Sequence, residues 1–380
     1  MYTLANYGKM LADRQRTDSY LRALERTVRQ GSVVLEIGTG IGVFAVVACR
    51  LGARRVYAIE SNDAIQVARE VAAANGCGDR IEFVQARSLD VELPERADVL
   101  LSDLRGVLPL YALNIPSVAD ARKRLLKPDA IIIPQSDRIW AAVVEAGDAW
   151  HEDFAPWDDS GTGVDLSPAR RLVENTNRKV YLEGRQLLGA PQLWARLDYR
   201  TVEEPNAYGT VCWQIEQQGT AHGLALWFDS CLAQDVSFSN APNLPPMVYG
   251  VAFFPWPTPV QLAPGDRVTT GIRAQLINGE YLWFWDSDIR DKSGAVKAEF
   301  KQSTFHSVPM SPQQIHKRGD NYVPTPNRAA EIEAFVLERF DGKTPVGEIA
   351  RRLHDKFPES FRTLQDALNE VGELSTRFSR

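Results

Sequence analysis

Residues 33–42 read Val-Val-Leu-Glu-Ile-Gly-Thr-Gly-Ile-Gly, and a second apolar run, Val56-Tyr57-Ala58-Ile59, closes on Glu60. This pairing commits the chain to an open α/β sheet that holds a ligand across two adjacent strand ends. The run 33–37 is the near-continuous apolar segment of a parallel strand buried on both faces. Gly38, Gly40 and Gly42 then form a turn free of side chains into a helix starting near Val43. A ligand approaches such backbone closely, and a helix N-terminus points N–H groups at it. Glu60, at the tip of the next strand, is placed to accept hydrogen bonds from two ribose hydroxyls. The pair predicts a nucleoside cofactor.

Dinucleotide-binding folds carry a similar loop. Here an acidic residue, Glu36, sits inside the strand just before the glycines, and the spacing departs from Gly-x-Gly-x-x-Gly. Both details favour S-adenosylmethionine over a dinucleotide.

The 380 residues suffice for two or three domains with full-sized cores. A net charge of −6 gives no electrostatic case for nucleic acid as partner. Cys49, Cys77, Cys212 and Cys231 lack metal-ligand spacing and fit thiols in a reducing cytoplasm. No apolar run reaches transmembrane length, and residues 1–6 lack the apolar stretch of a signal peptide. The expectation is a cytoplasmic enzyme with no membrane partner and no metal.

Helical and strand patterns alternate over residues 10–134, as in an open α/β sheet. Helix is expected over 10–28, 43–51, 64–75 and 115–126. Strands are expected at 33–37, 56–59, 81–85, 99–102 and 130–133, with a turn at Lys127-Pro128-Asp129. After Pro134 short strand-like runs at 138–144, 192–200, 211–217, 224–228, 260–262, 267–276 and 281–285 predict an antiparallel β barrel or sandwich. A polar, partly helical insertion at 158–179 interrupts them. Residues 328–340, 345–356 and 360–378 read as helices, with Ile332, Phe335, Val336, Phe340, Ile349, Leu353, Phe357, Leu364, Leu368 and Val371 at helical spacing for a separate small core.

Residues 7–307 resemble the protein arginine methyltransferases, which join a Rossmann-like methyltransferase domain to a β barrel. Met10-Leu11-Ala12-Asp13-Arg14-Gln15-Arg16-Thr17-Asp18-Ser19-Tyr20 is similar to the family's Met-Leu-x-Asp-x-x-Arg-Thr-x-x-Tyr segment. Residues 51–60, Val91-Glu92-Leu93-Pro94 and Ile131-Ile132-Ile133-Pro134 are similar as well, the last being where the family turns into its barrel, often through a cis-proline. The resemblance implies that Arg16 pairs with the cofactor's carboxylate, a task suited to a planar bidentate donor. It implies that Gly38 and Gly40 line the methionine and ribose, Glu60 takes the ribose hydroxyls, and Ser88 and Leu89 edge the adenine. Glu36, Thr39, Gly42, Ser61 and Ser102 complete the candidate cofactor site. Candidate catalytic residues are Asp103 and Arg105, with Tyr7 and Met10. The family also implies a homodimer, formed through an arm at about 158–179 with Leu166, Leu172 and Val173 as contacts.

The family's active loop reads Ser-Glu-x-x-Gly followed by a second Glu, and these carboxylates grip the guanidinium of the substrate. Here Asp103 keeps one carboxylate, Ala112 replaces the second and Arg105 adds a cation. The family's Thr-His-Trp loop falls at Met247-Val248-Tyr249, without its His and Trp. Losing most of the negative field predicts an acceptor other than arginine guanidinium. Transfer from a sulfonium needs alignment and at most one base, a role open to Asp103, while Arg105 is either a holder of a substrate carboxylate or a solvent-facing loop charge.

The C-terminal helices resemble PqqD-like domains through Phe335, Phe340-Asp341-Gly342, Thr344 and Ile349, with Tyr322-Val323-Pro324 as part of a small sheet. That resemblance implies a winged-helix unit that captures a precursor-peptide leader. The expected organisation is therefore a methyltransferase domain over 1–134, a β-barrel substrate domain over 135–307 and a peptide-binding domain over 308–380. The expected function is S-adenosylmethionine-dependent methylation of a ribosomally made natural-product precursor, tethering making weak pocket contacts sufficient. Two alternatives stay open: a protein arginine or small-amine methyltransferase with a purely structural C-terminal domain, and a non-catalytic cofactor-binding protein.

Overall fold

The computed structural model describes residues 3–379. It divides into two compact units, 1–309 and 310–380.

In the first unit, helix α1 (Leu4–Ala12) starts at a Thr3/Asn6 capping box and is separated from α2 (Arg14–Thr27) by Asp13. The sequence predicts one helix here. Asp13 instead takes an extended conformation and caps α2, its carboxylate accepting from the Arg16 amide at 3.0 Å. The chain then alternates through β1 (Val33–Ile37), α3 (Val43–Arg50), β2 (Arg55–Ile59), α4 (Ala64–Ala74), β3 (Ile81–Val84), β4 (Ala97–Ser102), α5 (Asn114–Arg124) and β5 (Leu126–Ile133). The five strands form a parallel sheet in the order β3-β2-β1-β4-β5. β1 is central and buried throughout, as its apolar run requires. The crevice beyond β1 and β4 is where the strand order reverses, the usual ligand position in such sheets. Residues 127–129, read from sequence as a turn, lie inside β5; Pro128 is accommodated because β5 is an edge strand.

A cis Ile133–Pro134 peptide leads into β6 (Ser136–Val144). Helices α6 (Gly147–Asp158) and α7 (Ser167–Val173) follow, then β7 (Arg178–Val180), β8 (Gln192–Asp198), β9 (Ala207–Gln214), β10 (Gly219–Ala233), β11 (Val236–Ser239), β12 (Val251–Leu262), β13 (Arg267–Ile277), β14 (Glu280–Arg290) and β15 (Val296–Ser303). Of the expected antiparallel β barrel or sandwich, the antiparallel sheets form but do not close into one barrel. The strands make two antiparallel sheets with open edges, β7-β12-β10-β6-β8 with β11 on β10, and β15-β14-β13-β9. One continuous core runs from the parallel sheet through Ile139, Phe228 and Phe254 to Trp285 and Ile289, so the two halves of this unit share their interior.

The second unit contains α8 (Pro312–His316), α9 (Arg328–Leu337), α10 (Val346–Lys356) and α11 (Leu364–Phe378). Ile332, Val336, Ile349, Leu353, Phe357, Phe361, Ala367, Val371 and Leu374 form its core. Asp341 fixes the turn between α9 and α10, accepting from the Lys343 and Thr344 amides at 2.8 and 2.7 Å. Leu364, expected inside, is 45 % exposed. The expected winged helix is corrected too. No strand lies among the described residues after Ser303: Val323 is exposed, and Pro324 and Pro326 lack the backbone donors a ladder needs.

Candidate active site

The glycine turn leaves β1 with Gly38 and Gly40 in left-handed conformations, at φ of 79° and 54°. A Cβ on Gly38 would lie 2.5 Å from Leu104 Cδ2, and one on Gly40 2.5 Å from Tyr7 Cε1. The backbone is therefore pressed against the lining of the crevice, and no other residue fits. Gly38 and Thr39 amides donate to the Ile59 carbonyl, locking the turn to β2. Glu60 secures the same junction: Oε2 accepts from the Gly40 amide at 3.0 Å and Oε1 from the Asn62 amide at 2.9 Å. Each oxygen keeps lone-pair capacity for a hydroxyl. Glu36 is buried beneath the turn and accepts from Thr39 Oγ1 at 2.7 Å. Burial pushes its carboxyl up to about 8, against the opposing hydrogen bonds from Thr39 and the Ala45 amide. Gly42 caps α3 in a left-handed conformation.

Facing the turn is a buried ion network. Arg16, on α2, donates through Nε and Nη2 to Asp103 Oδ2 at 2.9 and 2.5 Å. Tyr249 Oη lies 3.0 and 2.9 Å from the two Asp103 oxygens, and Arg105 Nε donates to Oδ1 at 3.1 Å. Burial alone would raise the Asp103 carboxyl, but Arg16 and Arg105 outweigh it and bring it to about 2. The Arg105 side chain is only 1 % exposed. Its Nη1 donates to Asp137 Oδ1 at 3.1 Å and Ser230 Oγ at 2.8 Å, and Nη2 to the Tyr20 hydroxyl. The guanidinium lies 5.3 and 5.5 Å from the Phe228 and Phe238 ring centroids. Tyr199 Oη donates to Asp137 Oδ2 at 2.7 Å. Arg105 is thus neither a solvent-facing loop charge nor a free holder of a substrate carboxylate; its donors are committed to the protein.

These groups border a cavity of about 1370 Å³, lined by Tyr7, Met10, Arg16, Glu36, Gly38, Thr39, Gly40, Glu60, Ser61, Asp103, Arg105 and Tyr249 among others. A smaller cavity of about 270 Å³ adjoins Glu60 and Ser61 and reaches Ser88 and Leu89. Ser102 and Gly42 border neither; Ser102 Oγ is buried without a hydrogen-bond partner among the described residues. The cradle fits S-adenosylmethionine. The glycines leave room for backbone approach, Glu60 lines both cavities, and Arg16 keeps Nη1 with only a 3.5 Å contact to the Met10 carbonyl. Sequence reasoning missed Tyr249, Asp137, Tyr20, Tyr199 and Ser230. The one available signal was Asp137, a charge heading the apolar run 139–144.

A parallel-sheet glycine turn, an acidic second-strand tip and this cavity define a class I methyltransferase. Two family models match in succession: ribosomal protein L11 methyltransferase over residues 13–134 and arginine methyltransferase oligomerization subdomain over 135–286. The chain is 31 % identical over 301 residues to protein arginine N-methyltransferase PRMT10 of Oryza sativa subsp. japonica, covering 70 % of this chain and 79 % of the relative. The crystal structure of Arabidopsis thaliana protein arginine methyltransferase 10 superposes with a TM-score of 0.70 at 25 % identity, covering 79 % of this chain and 97 % of that one. The Trypanosoma brucei PRMT1 enzyme–prozyme heterotetrameric complex with AdoHcy shares the fold, with a TM-score of 0.70 at 24 % identity over 78 % of this chain and 96 % of that one. The chain spans between 55 % and 87 % of the length of its plant relatives. It belongs to the protein arginine methyltransferase family, a family of S-adenosylmethionine-dependent enzymes.

Proposed function

We propose that the chain transfers a methyl group from S-adenosylmethionine to a side-chain nitrogen of a protein or peptide, arginine being the first acceptor class. The observation that carries this is Asp103, an ionised carboxylate on the wall of the same cavity as the glycine turn and Glu60. Bound cofactor would supply an electrophilic methyl group on sulfur. The protein's part is alignment: Arg16 and Glu60 hold the two ends of the cofactor, and Asp103 accepts from the acceptor N–H. A carboxyl held near 2 is a poor proton acceptor at neutral pH, so Asp103 orients the nitrogen rather than serving as its base.

The sequence reading set arginine aside because Ala112 replaces one of the two carboxylates, the loop at 247–249 lacks its His and Trp, and Arg105 adds a cation. Its repulsion is cancelled in place: Arg16 and Arg105 are matched by Asp103 and Asp137 within one hydrogen-bonded network. The relatives' names then favour arginine. Ala112 remains a departure, leaving one carboxylate where the family has two, so a guanidinium is held at one point. The test is intact-mass analysis of arginine peptides incubated with enzyme and cofactor. A gain of one methyl mass is expected, and its absence across arginine peptides at saturating cofactor contradicts the reading.

A second reading concerns the C-terminal unit, which has a core of its own and lies beyond the matched family models, which end at residue 286. It is the expected capture of a natural-product precursor peptide. The unit's separateness is the one supporting observation, and the lack of strands among its described residues counts against it. Truncation after Pro309 separates the two: methylation of free arginine peptides persists under the first reading, and methylation of a precursor encoded beside the gene is lost under the second. In either case we expect a homodimer formed through the arm at about 158–179, which includes α7, with a scattering mass near twice 42.4 kDa.

A further inference from the structure

The mouth of the large cavity carries charge of one sign. Its wall contains carboxylates, but Glu36 is buried, and Asp13, Glu60 and Asp103 are half-buried and already accept hydrogen bonds from the protein. Among the described residues, the charged cavity-lining side chains that are exposed are Lys9, Arg14 and Lys179, all cations, on a chain whose net charge is −6. Lys9 and Arg14 enter no ion pair among the described residues. Asp18, one turn along α2 from Arg14, is exposed but does not line the cavity. Lys179 is held in place: its ammonium donates to the Val248 carbonyl and lies 5.2 Å from the Tyr181 ring centroid. Val248 in turn donates its amide to Asp13 Oδ2 at 2.6 Å, so the Lys179 strand and the start of α2 are tied at the rim.

Exposed Tyr181 and Tyr111 border the same cavity, at 59 % and 45 % exposure. Aromatic faces beside unpaired cations form a surface for an extended chain carrying carboxylates, whose apolar stems lie on the rings. A like-charged rim repels the opposite kind of segment, one rich in lysine or arginine.

We infer that the rim selects acceptor peptides whose acceptor residue is flanked by acidic residues, with Lys9, Arg14 and Lys179 as its specificity determinants. This rests on the proposed transfer to a peptide side chain, and the experiment separates the two. Two labelled synthetic peptides are used, each with one central arginine, flanked on both sides by glutamates in one and by lysines in the other. Methyl transfer and fluorescence anisotropy are measured on the full chain at low and moderate salt, beside the triple variant Lys9→Glu, Arg14→Glu, Lys179→Glu.

The expected result is a KM for the acidic peptide about tenfold lower than for the basic one. Added salt narrows the gap, because exposed charges are screened within about 10 Å at ordinary ionic strength. The triple variant reverses the preference while its AdoHcy affinity stays within about twofold of the parent, since exposed rim charges are worth little individually. Equal KM values, a basic preference, or a variant that loses AdoHcy affinity in step with peptide selectivity overturns the inference. If neither peptide is methylated, the proposed acceptor class fails, and anisotropy alone decides the rim: tighter acidic binding that the variant abolishes upholds it, and equal binding overturns it.

Discussion

Arg16 and Asp103 meet as a buried ion pair in which two guanidinium nitrogens address one carboxylate oxygen, Nε at 2.9 Å and Nη2 at 2.5 Å from Oδ2. They come from α2 and the residue following β4, so one contact ties these two segments together at the cavity wall. The planar fork allows Arg16 to hold Asp103 through two nitrogens and leaves the third, Nη1, with a 3.5 Å contact to the Met10 carbonyl; we propose that it takes the cofactor's carboxylate.

Arg16→Lys keeps the charge and loses the fork. Affinity for AdoHcy, measured by titration calorimetry, is expected to fall about tenfold, the loss of one charge-assisted hydrogen bond. An unchanged affinity would remove Arg16 from the cofactor site.

Glu36 gives a pH signature. Its folded carboxyl lies near 8 against an ordinary 4.5, so the unfolded chain loses this proton first as pH rises. Stability from this group is complete below about 4.5, declines as pH rises and is gone above about 8, at up to about 1.4 kcal/mol per pH unit. Glu36→Gln removes that slope. Melting temperatures across pH 5 to 8, a window on the order of that set by the shift, should show the variant gaining on the parent as pH rises. Parallel curves would contradict the assignment.

Arg105 is the cation whose removal leaves buried Asp137 without an ion-pair partner, while Asp103 keeps Arg16. Arg105→Leu is expected to cost about 3–5 kcal/mol in denaturant unfolding, the range for breaking a buried pair. Adding Asp137→Asn should recover a large part, because Asp137 is 1 % exposed and has Arg105 as its ion-pair partner. A double variant as unstable as the single one would show that Arg105 acts through packing against Phe228 and Phe238 instead.

The parallel sheet was legible because two-sided burial writes an unbroken apolar run, as in Val33–Ile37. Lengths were less legible where polar residues or glycines interrupt the apolar run or where an edge strand is partly exposed. β10 runs from Gly219 to Ala233, yet its Gly219-Thr220 and His222-Gly223 positions hide the beginning. β5 includes Lys127-Pro128-Asp129 because its edge faces solvent. The expected cofactor residues cluster within local motifs, and all but Gly42 and Ser102 line one of the two cavities. The network around Arg105 was not legible, since its partners Asp137 and Ser230 are 32 and 125 positions away, and the charge of Asp137 ahead of an apolar run does not say what it pairs with. That distance is why Arg105 read as an uncompensated charge.

The central claim, transfer to a side-chain nitrogen oriented by Asp103, is tested most directly by intact-mass spectrometry of an arginine peptide incubated with S-adenosylmethionine and either the parent or Asp103→Asn. The parent should add one methyl mass, and the variant should do so at least about a hundredfold more slowly while still binding AdoHcy. No methylation of any arginine peptide by the parent at saturating cofactor, or equal rates from the two proteins, would contradict it.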